Sequence, residues 1–207
     1  MVLVIKDIDQ VTEERVEIDL PESLICDVID GKVYPFAGWE KVISGEKSIE
    51  DIMGSSSLQG NLISIMLKAL FVGIDERKYR ILTSEMGYHQ SLRNNFSIDI
   101  GIYDRGTLSY KDLSEKYTDK APKVAIEVDT KIDLSDTSEM EYVTRKTQKL
   151  LECGVEKVAW IFTKTQTCIL ATPEDAWRIL GWNNDLELLP DYSLNIADLI
   201  ERDRQLG

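Results

Sequence analysis

Two short segments limit most strongly what this chain can become. In FSIDIGIY, residues 96–103, Ile98, Ile100 and Ile102 recur with a period of two, and in KVAIEVD, residues 123–129, Val124, Ile126 and Val128 do the same. Such alternation of apolar residues marks strands that bury one face. The opposite faces carry Asp99, Gly101 and Tyr103 on the first segment and Ala125, Glu127 and Asp129 on the second. A fold that pairs these strands brings carboxylates close together. Close carboxylates repel unless a cation lies between them or one stays protonated. Acids solvated on the outer faces of strands are also ordinary, and the alternation fits either arrangement.

The flanking segments supply helices and hairpins. From Ser57 to Val72 the residues Leu58, Leu62, Ile65, Met66, Ala69 and Leu70 recur at spacings of three and four, which predicts an amphipathic helix with an N-cap serine among residues 55–57. Residues 138–152 return to that spacing through Met140, Val143, Leu150 and Leu151, with Gly154 as the stop and with Lys146 and Lys149 near the core-facing edge. LICDVIDGKVYPF, residues 24–36, predicts a hairpin turning at Asp30-Gly31, with Asp27 on its first arm. Further strands are expected at 79–86, in KVAWIFT and TCILAT, and at 186–189, and a terminal helix at Ile196 to Arg204. The fold class is therefore α/β (α+β): a mixed central sheet flanked by helices, with N-terminal and C-terminal β-hairpin additions. No repeat, low-complexity tract or Gly/Ser linker divides the 207 residues, so a single domain over 1–207 is expected.

Composition narrows the chemistry. His89 is the only histidine, which removes multi-histidine zinc sites and the HExxH proteases. No GxSxG surrounds a serine, and Gly45-Glu46-Lys47-Ser48 places a glutamate where a phosphate loop needs glycine. Carboxylates and lysines are the remaining resource, and they favour oxygen-ligated metals such as magnesium or manganese. Cys26, Cys153 and Cys168 lack CxxC spacing, which suits a reducing cytoplasm. No apolar run reaches the roughly 18 residues of a membrane span. The formal net charge is −13, yet residues 1–30 hold nine acids and two bases and residues 184–207 hold six acids and two bases, so the middle is nearly neutral. Charge thus argues against general coating of DNA without excluding a local phosphate site. His89 and the tryptophans Trp39, Trp160, Trp177 and Trp182 are expected in structural or surface roles, while Lys149 and Lys131 stay open between contact with a phosphate backbone and plain solvation.

The order of motifs CDVIDGKVYPFAG, SIDIGIYD, KVAIEVDT, RKTQKLLECGVEKVAWIF and LELLPDYSLNIADLI resembles the Uma-type restriction endonuclease family, a branch of the PD-(D/E)XK nuclease superfamily, over nearly the whole chain. The resemblance implies a restriction-endonuclease-like fold and a metal-dependent DNA endonuclease that hydrolyses phosphodiester bonds. Asp99 takes the family's Asp, Glu127 its Glu, and Lys146 the lysine carried on a helix. Asp27 matches an N-terminal acid. Mg²⁺, with Mn²⁺ as a substitute, would sit on Asp99, Glu127 and the Val128 carbonyl. DNA is the implied partner, and duplex dyad symmetry suits a homodimer. Ile98 replaces the family's proline, Leu150 its tyrosine and Asp129 an apolar residue, while Gln59 stands near its histidine. Asp129-Thr130-Lys131 reads as a literal DXK, so a rival site is Asp99, Asp129 and Lys131. The alternative function is an inactive nuclease-fold module that binds nucleic acid or a protein.

Overall fold

The computed structural model describes residues 2–5, 16–53, 56–129 and 137–206. Lys131, the lysine of the rival site, lies outside the described residues. In chain order the first elements are β1 (Val2–Ile5), β2 (Val16–Asp19), β3 (Ile25–Ile29), β4 (Lys32–Pro35), α1 (Trp39–Ile43), α2 (Glu50–Met53) and α3 (Ser57–Gly73). Then come β5 (Tyr79–Ser91), β6 (Asn94–Asp104), β7 (Val124–Asp129), α4 (Thr137–Glu152), β8 (Lys157–Phe162) and β9 (Thr167–Ala171). The last are β10 (Arg178–Gly181), β11 (Asp185–Leu189), β12 (Tyr192–Asn195) and α5 (Ile196–Arg204). No helix among the described residues is long and apolar enough to cross a membrane.

These elements form two compact units. The smaller holds the described residues up to 53 together with Gln90–Phe96, and the larger holds 56–89 and 97–206. In the smaller unit, β1 and β2 pair antiparallel. β3 and β4 form the expected hairpin, with Asp30 (φ 52°) and Gly31 (φ 82°) both in the left-handed region. That conformation is what a two-residue turn needs to match strand twist. A bulge after Ile25 breaks the alternation of β3, and Asp27 is buried. Leu20, Leu24, Val33, Trp39 and Ile52 make this unit's core.

In the larger unit the strand order is β10-β9-β8-β7-β6, with β5 also paired to β6. β7 and β8 run parallel, joined by α4, while β6–β7, β8–β9 and β9–β10 are antiparallel. A mixed sheet of this kind needs a crossover element, and α4 is that element. On one face α3 packs on β7 through Leu62, Met66 and Leu70 against Ile100, Ile126 and Val128. On the other, α4 packs on β8. Every residue of Ile98–Tyr103 and of Val124–Val128 is buried, so the faces that bear Asp99 and Glu127 are not the solvated ones that strand alternation also permits.

The Ser56 side chain caps α3 by accepting the Gln59 N–H, as expected. α3 is less one-sided than its spacing suggests, for Leu58, Phe71 and Val72 are exposed. β5 runs past the expected residue 86 because it follows β6 as a hairpin partner. The strands β1, β2, β10 and β12 and the helices α1 and α2 have four or five residues each, too few to show a period in sequence.

Gly101 lies under a ring. A Cβ there would come within 2.9 Å of Tyr103 Cε2 and 3.0 Å of Met86 Cε, and the Tyr103 hydroxyl is itself bonded to Met86 Sδ at 2.8 Å. Gly101→Ala is expected to lower the unfolding free energy by about 1–3 kcal/mol, the usual cost of overpacking a filled core. Denaturant titration reads this directly, and an unmoved midpoint would show that the ring has room to swing away.

Candidate functional site

The centre of the site is a charge inside an apolar stripe. On α4 the buried residues Val143, Lys146, Thr147 and Leu150 fall at i, i+3, i+4 and i+7, the positions that face a core. An ammonium there needs an anion, because an unpaired buried charge is costly. Glu127 supplies it: Lys146 Nζ lies 3.1 Å from Glu127 Oε1, with the two side chains 3% and 9% exposed. The same ammonium donates to the Ser97 carbonyl at 2.8 Å.

Asp99 enters through strand register. β6 and β7 pair Ile102 with Val124, Gly101 with Ala125 and Ile100 with Ile126, and one further step of that register sets Asp99 opposite Glu127. At that step the Val128 N–H donates to Asp99 Oδ2 at 2.7 Å, so the backbone of one strand fixes the carboxylate of the other. From the β5 side, Thr83 Oγ1 donates to the Asp99 carbonyl at 2.9 Å. Beside Thr83, Ser84 takes a left-handed φ of 70°, a strained choice for a non-glycine residue within a strand. A cleft of about 340 Å³ reaches Asp99 here, lined by Ser64, Thr83 and Ser84 among others.

Aromatic rings close off the ammonium. Tyr142 and Trp160 each stand 5.8 Å from Lys146 Nζ, and the two rings meet edge to face at 6.2 Å. Trp160 sits opposite Glu127 in the parallel ladder, and its Nε1–H donates to Thr147 Oγ1 at 2.8 Å. The Thr147 hydroxyl in turn donates to the Val143 carbonyl at 2.7 Å. The C-terminal end of α4 is anchored by Tyr88, whose hydroxyl donates to the Cys153 carbonyl at 2.6 Å. Burial pushes that phenol up to about 12, so it remains a donor through the ordinary pH range.

The structure brings Asp99, Glu127 and Lys146 together within the larger unit. Asp129 stands two residues past Glu127 on the same strand face, half-buried, with its carbonyl accepting the Thr163 N–H. Asp27 lies on β3 in the smaller unit. Lys149 pairs with Glu152 at 2.5 Å, and the His89 N–H serves the Thr118 carbonyl. Sequence reasoning missed Thr83, Tyr142 and the positioning role of Trp160. A lysine and a threonine inside an otherwise apolar helical stripe were the available signal for the Trp160–Thr147 bond, and Thr83 had none.

The donors fit a hard divalent cation by chemistry. Among the described residues no three His, Cys, Asp or Glu side chains gather as a metal site, and the carboxylates that could contribute to one here are Asp99 and Glu127. The Val128 carbonyl and water would complete an all-oxygen set, which suits Mg²⁺ or Mn²⁺, ions that keep several waters when bound.

No protein-family model matches the chain, and no curated protein does. Among solved structures, a candidate nuclease belonging to DUF820 from Anabaena variabilis ATCC 29413 superposes with a TM-score of 0.61. The superposition covers 88% of this chain and 93% of that one at 16% identity. The two share a fold. That fold is a central mixed sheet flanked by helices, with the strands that carry Asp99 and Glu127 at its middle.

Removing one partner of the buried pair takes from the other an ion pair of 3.1 Å. Lys146→Met is expected to cost about 3–5 kcal/mol of stability, and Lys146→Met combined with Glu127→Gln less than the two single losses together. A double-mutant cycle by chemical denaturation checks this, and strictly additive losses would mean that the pair contributes no coupling.

Proposed function

We propose that this chain is a metal-dependent endonuclease that hydrolyses phosphodiester bonds in DNA. The observation that carries the reading is the buried grouping of Asp99, Glu127 and Lys146 where β6 and β7 meet. The fold shared with the candidate nuclease from Anabaena variabilis supports it. Mg²⁺ or Mn²⁺ held by Asp99, Glu127 and the Val128 carbonyl would lower the pKa of a bound water and offset charge on the phosphoryl oxygens.

The chain's own residues do the rest. Asp99 is a pre-set donor, because the Val128 N–H holds one of its oxygens and Thr83 holds its backbone. Lys146 keeps a proton at Nζ beside Glu127, where it orients the attacking water and presents positive charge to an approaching phosphate. Tyr142 and Trp160 exclude solvent from this ammonium, so its field is little screened. Asp129, half-buried beyond Glu127, adds negative charge that either tightens cation binding or slows phosphate approach. The net charge of −13 disfavours nonspecific attraction to DNA, whereas local lysine–phosphate contacts strengthen as salt falls, so cleavage is assayed at low salt.

Supercoiled plasmid and single-stranded DNA, each incubated with Mg²⁺, Mn²⁺ or EDTA, test the activity. Metal-dependent nicking is expected, lost in Asp99→Asn and slowed about a hundredfold or more in Lys146→Ala. Lys131→Ala should stay near wild type. Loss in Lys131→Ala with full activity in Lys146→Ala would transfer the roles to Asp129 and Lys131, and cutting that survives Asp99→Asn would overturn the site. Thermal melts test the cation separately: Mg²⁺ should raise the wild-type midpoint and leave Asp99→Ala and Glu127→Ala unmoved. Equal stabilisation of both variants would remove these acids as ligands.

A further inference from the structure

Two residues on the cleft that reaches Asp99 are each the less stable choice for their own backbone. Gly60 lies in the first turns of α3, where its N–H donates to the Ser56 carbonyl at 2.9 Å in ordinary helical fashion. Its φ is not left-handed, and a Cβ built on it meets nothing within 4 Å. Neither conformation nor packing therefore calls for a glycine, which weakens a helix relative to alanine. Ser84 is the converse case. It holds a φ of 70° within β5, a conformation in which glycine is at ease and serine is strained.

Both residues face one space. Gly60, Ile63, Ser64 and Leu67 line the cleft from α3, and their spacing of i, i+3, i+4 and i+7 places them on one helix face. A side chain at position 60 would therefore stand at the end of that stripe, over the cleft. Ser84 lines it from β5, with Asp99 in the same lining. Among the described residues that line it there is no lysine or arginine. Its polar side chains are hydroxyls and the Asp99 carboxylate, and among the described residues neither Ser64 nor Ser84 bonds its hydroxyl to another protein group. Local choices that oppose stability collect where a ligand has to be accommodated. We propose that this cleft seats the strand beside the scissile phosphate. Gly60 leaves room for the sugar–phosphate backbone to lie against α3, and the Ser64 and Ser84 hydroxyls donate to its phosphate oxygens. Ile63 and Leu67 offer the sugar an apolar face. The strain at Ser84 persists because glycine there would bring no hydroxyl. The proposal rests on the phosphodiester-hydrolysing reading of Asp99, Glu127 and Lys146, and adds to it where the substrate lies and which residues position it.

Thermal melts, Mg²⁺ titration and cleavage of a fluorescently labelled single-stranded oligonucleotide test this on the full chain. Gly60→Ala and Ser84→Gly should melt at or above the wild-type midpoint. Both variants, and Gly60→Leu, should keep the whole Mg²⁺-induced rise, since Asp99 and Glu127 are untouched. KM for the oligonucleotide should nevertheless rise, about two- to tenfold in Ser84→Gly for one lost hydrogen bond. In Gly60→Leu, whose side chain fills the seat, it should rise at least about tenfold, and less in Gly60→Ala. Val72→Leu, exposed on the same helix and outside this cleft, is the control that should match wild type. Should Gly60→Leu lower the midpoint, Gly60→Ala with Ser84→Gly decides. Anisotropy of the same oligonucleotide with Ca²⁺, an oxygen-bound ion of looser geometry, in place of Mg²⁺ reads binding by itself. A wild type that cuts nothing, yet binds more tightly than Ser84→Gly and the Gly60 variants, would remove the nuclease reading and keep the cleft as a strand seat. A wild type that cuts, with variants that bind and cut equally well, overturns the proposal and leaves the nuclease reading standing. A wild type that neither binds nor cuts overturns both.

Discussion

A lysine ammonium in the buried stripe of a helix is tolerated only with an anion in reach, and around Lys146 that requirement organises the middle of the larger unit. Glu127 meets it from β7 and the Ser97 carbonyl meets it from β6, so one charge holds a helix to two strands. Remove the ammonium and Glu127 becomes a buried carboxylate facing a second acid across the ladder. Remove Glu127 and the ammonium loses its ion pair of 3.1 Å. Apolar packing would be a cheaper way to fasten α4 to the sheet, since buried pairs gain little over well-packed hydrophobic residues. That such a pair persists here is what gives the grouping its functional interest.

The second acid is compensated differently. Asp99 accepts a backbone N–H from Val128, and the Thr83 hydroxyl secures its carbonyl. The two carboxylates therefore sit opposite each other with their demands met from opposite directions, one by helix α4 and one by the strands β5 and β7. The strained Ser84 beside Thr83 belongs to this arrangement, since it lies on the strand that carries the Thr83 donor.

Much of the fold was legible because strand alternation and helical spacing are read directly from residue order. The segments 57–72, 96–103, 123–129 and 138–152 carry helical or strand periods, 24–36 carries an Asp-Gly turn, and the structure forms strands or helices in each. What alternation does not convey is whether a face is covered. Asp99 and Glu127 share the side opposite the isoleucines in sequence, but only the packing of α4 shows that this side is buried. Asp27 is hidden by a bulge, which reverses the alternation that would otherwise place it. The candidate acids and lysine were readable by type and order. Their supporting partners Thr83, Ser97 and Tyr142 were not, because each acts through a contact between segments distant in sequence.

The way β7, α4 and β8 form one crossover also bears on how the centre is assembled. Glu127 and Lys146 are fewer than twenty residues apart, so their meeting is a local event in a folding chain. Asp99 arrives by antiparallel closure across residues 105–123, a connection whose ends are fixed by the β6–β7 register. Lengthening such a loop raises the entropy of closure only logarithmically. The ionic half of the centre is thus insulated from changes in that loop, and the chain can accept insertions between Asp99 and Glu127 without disturbing the pair that anchors the helix.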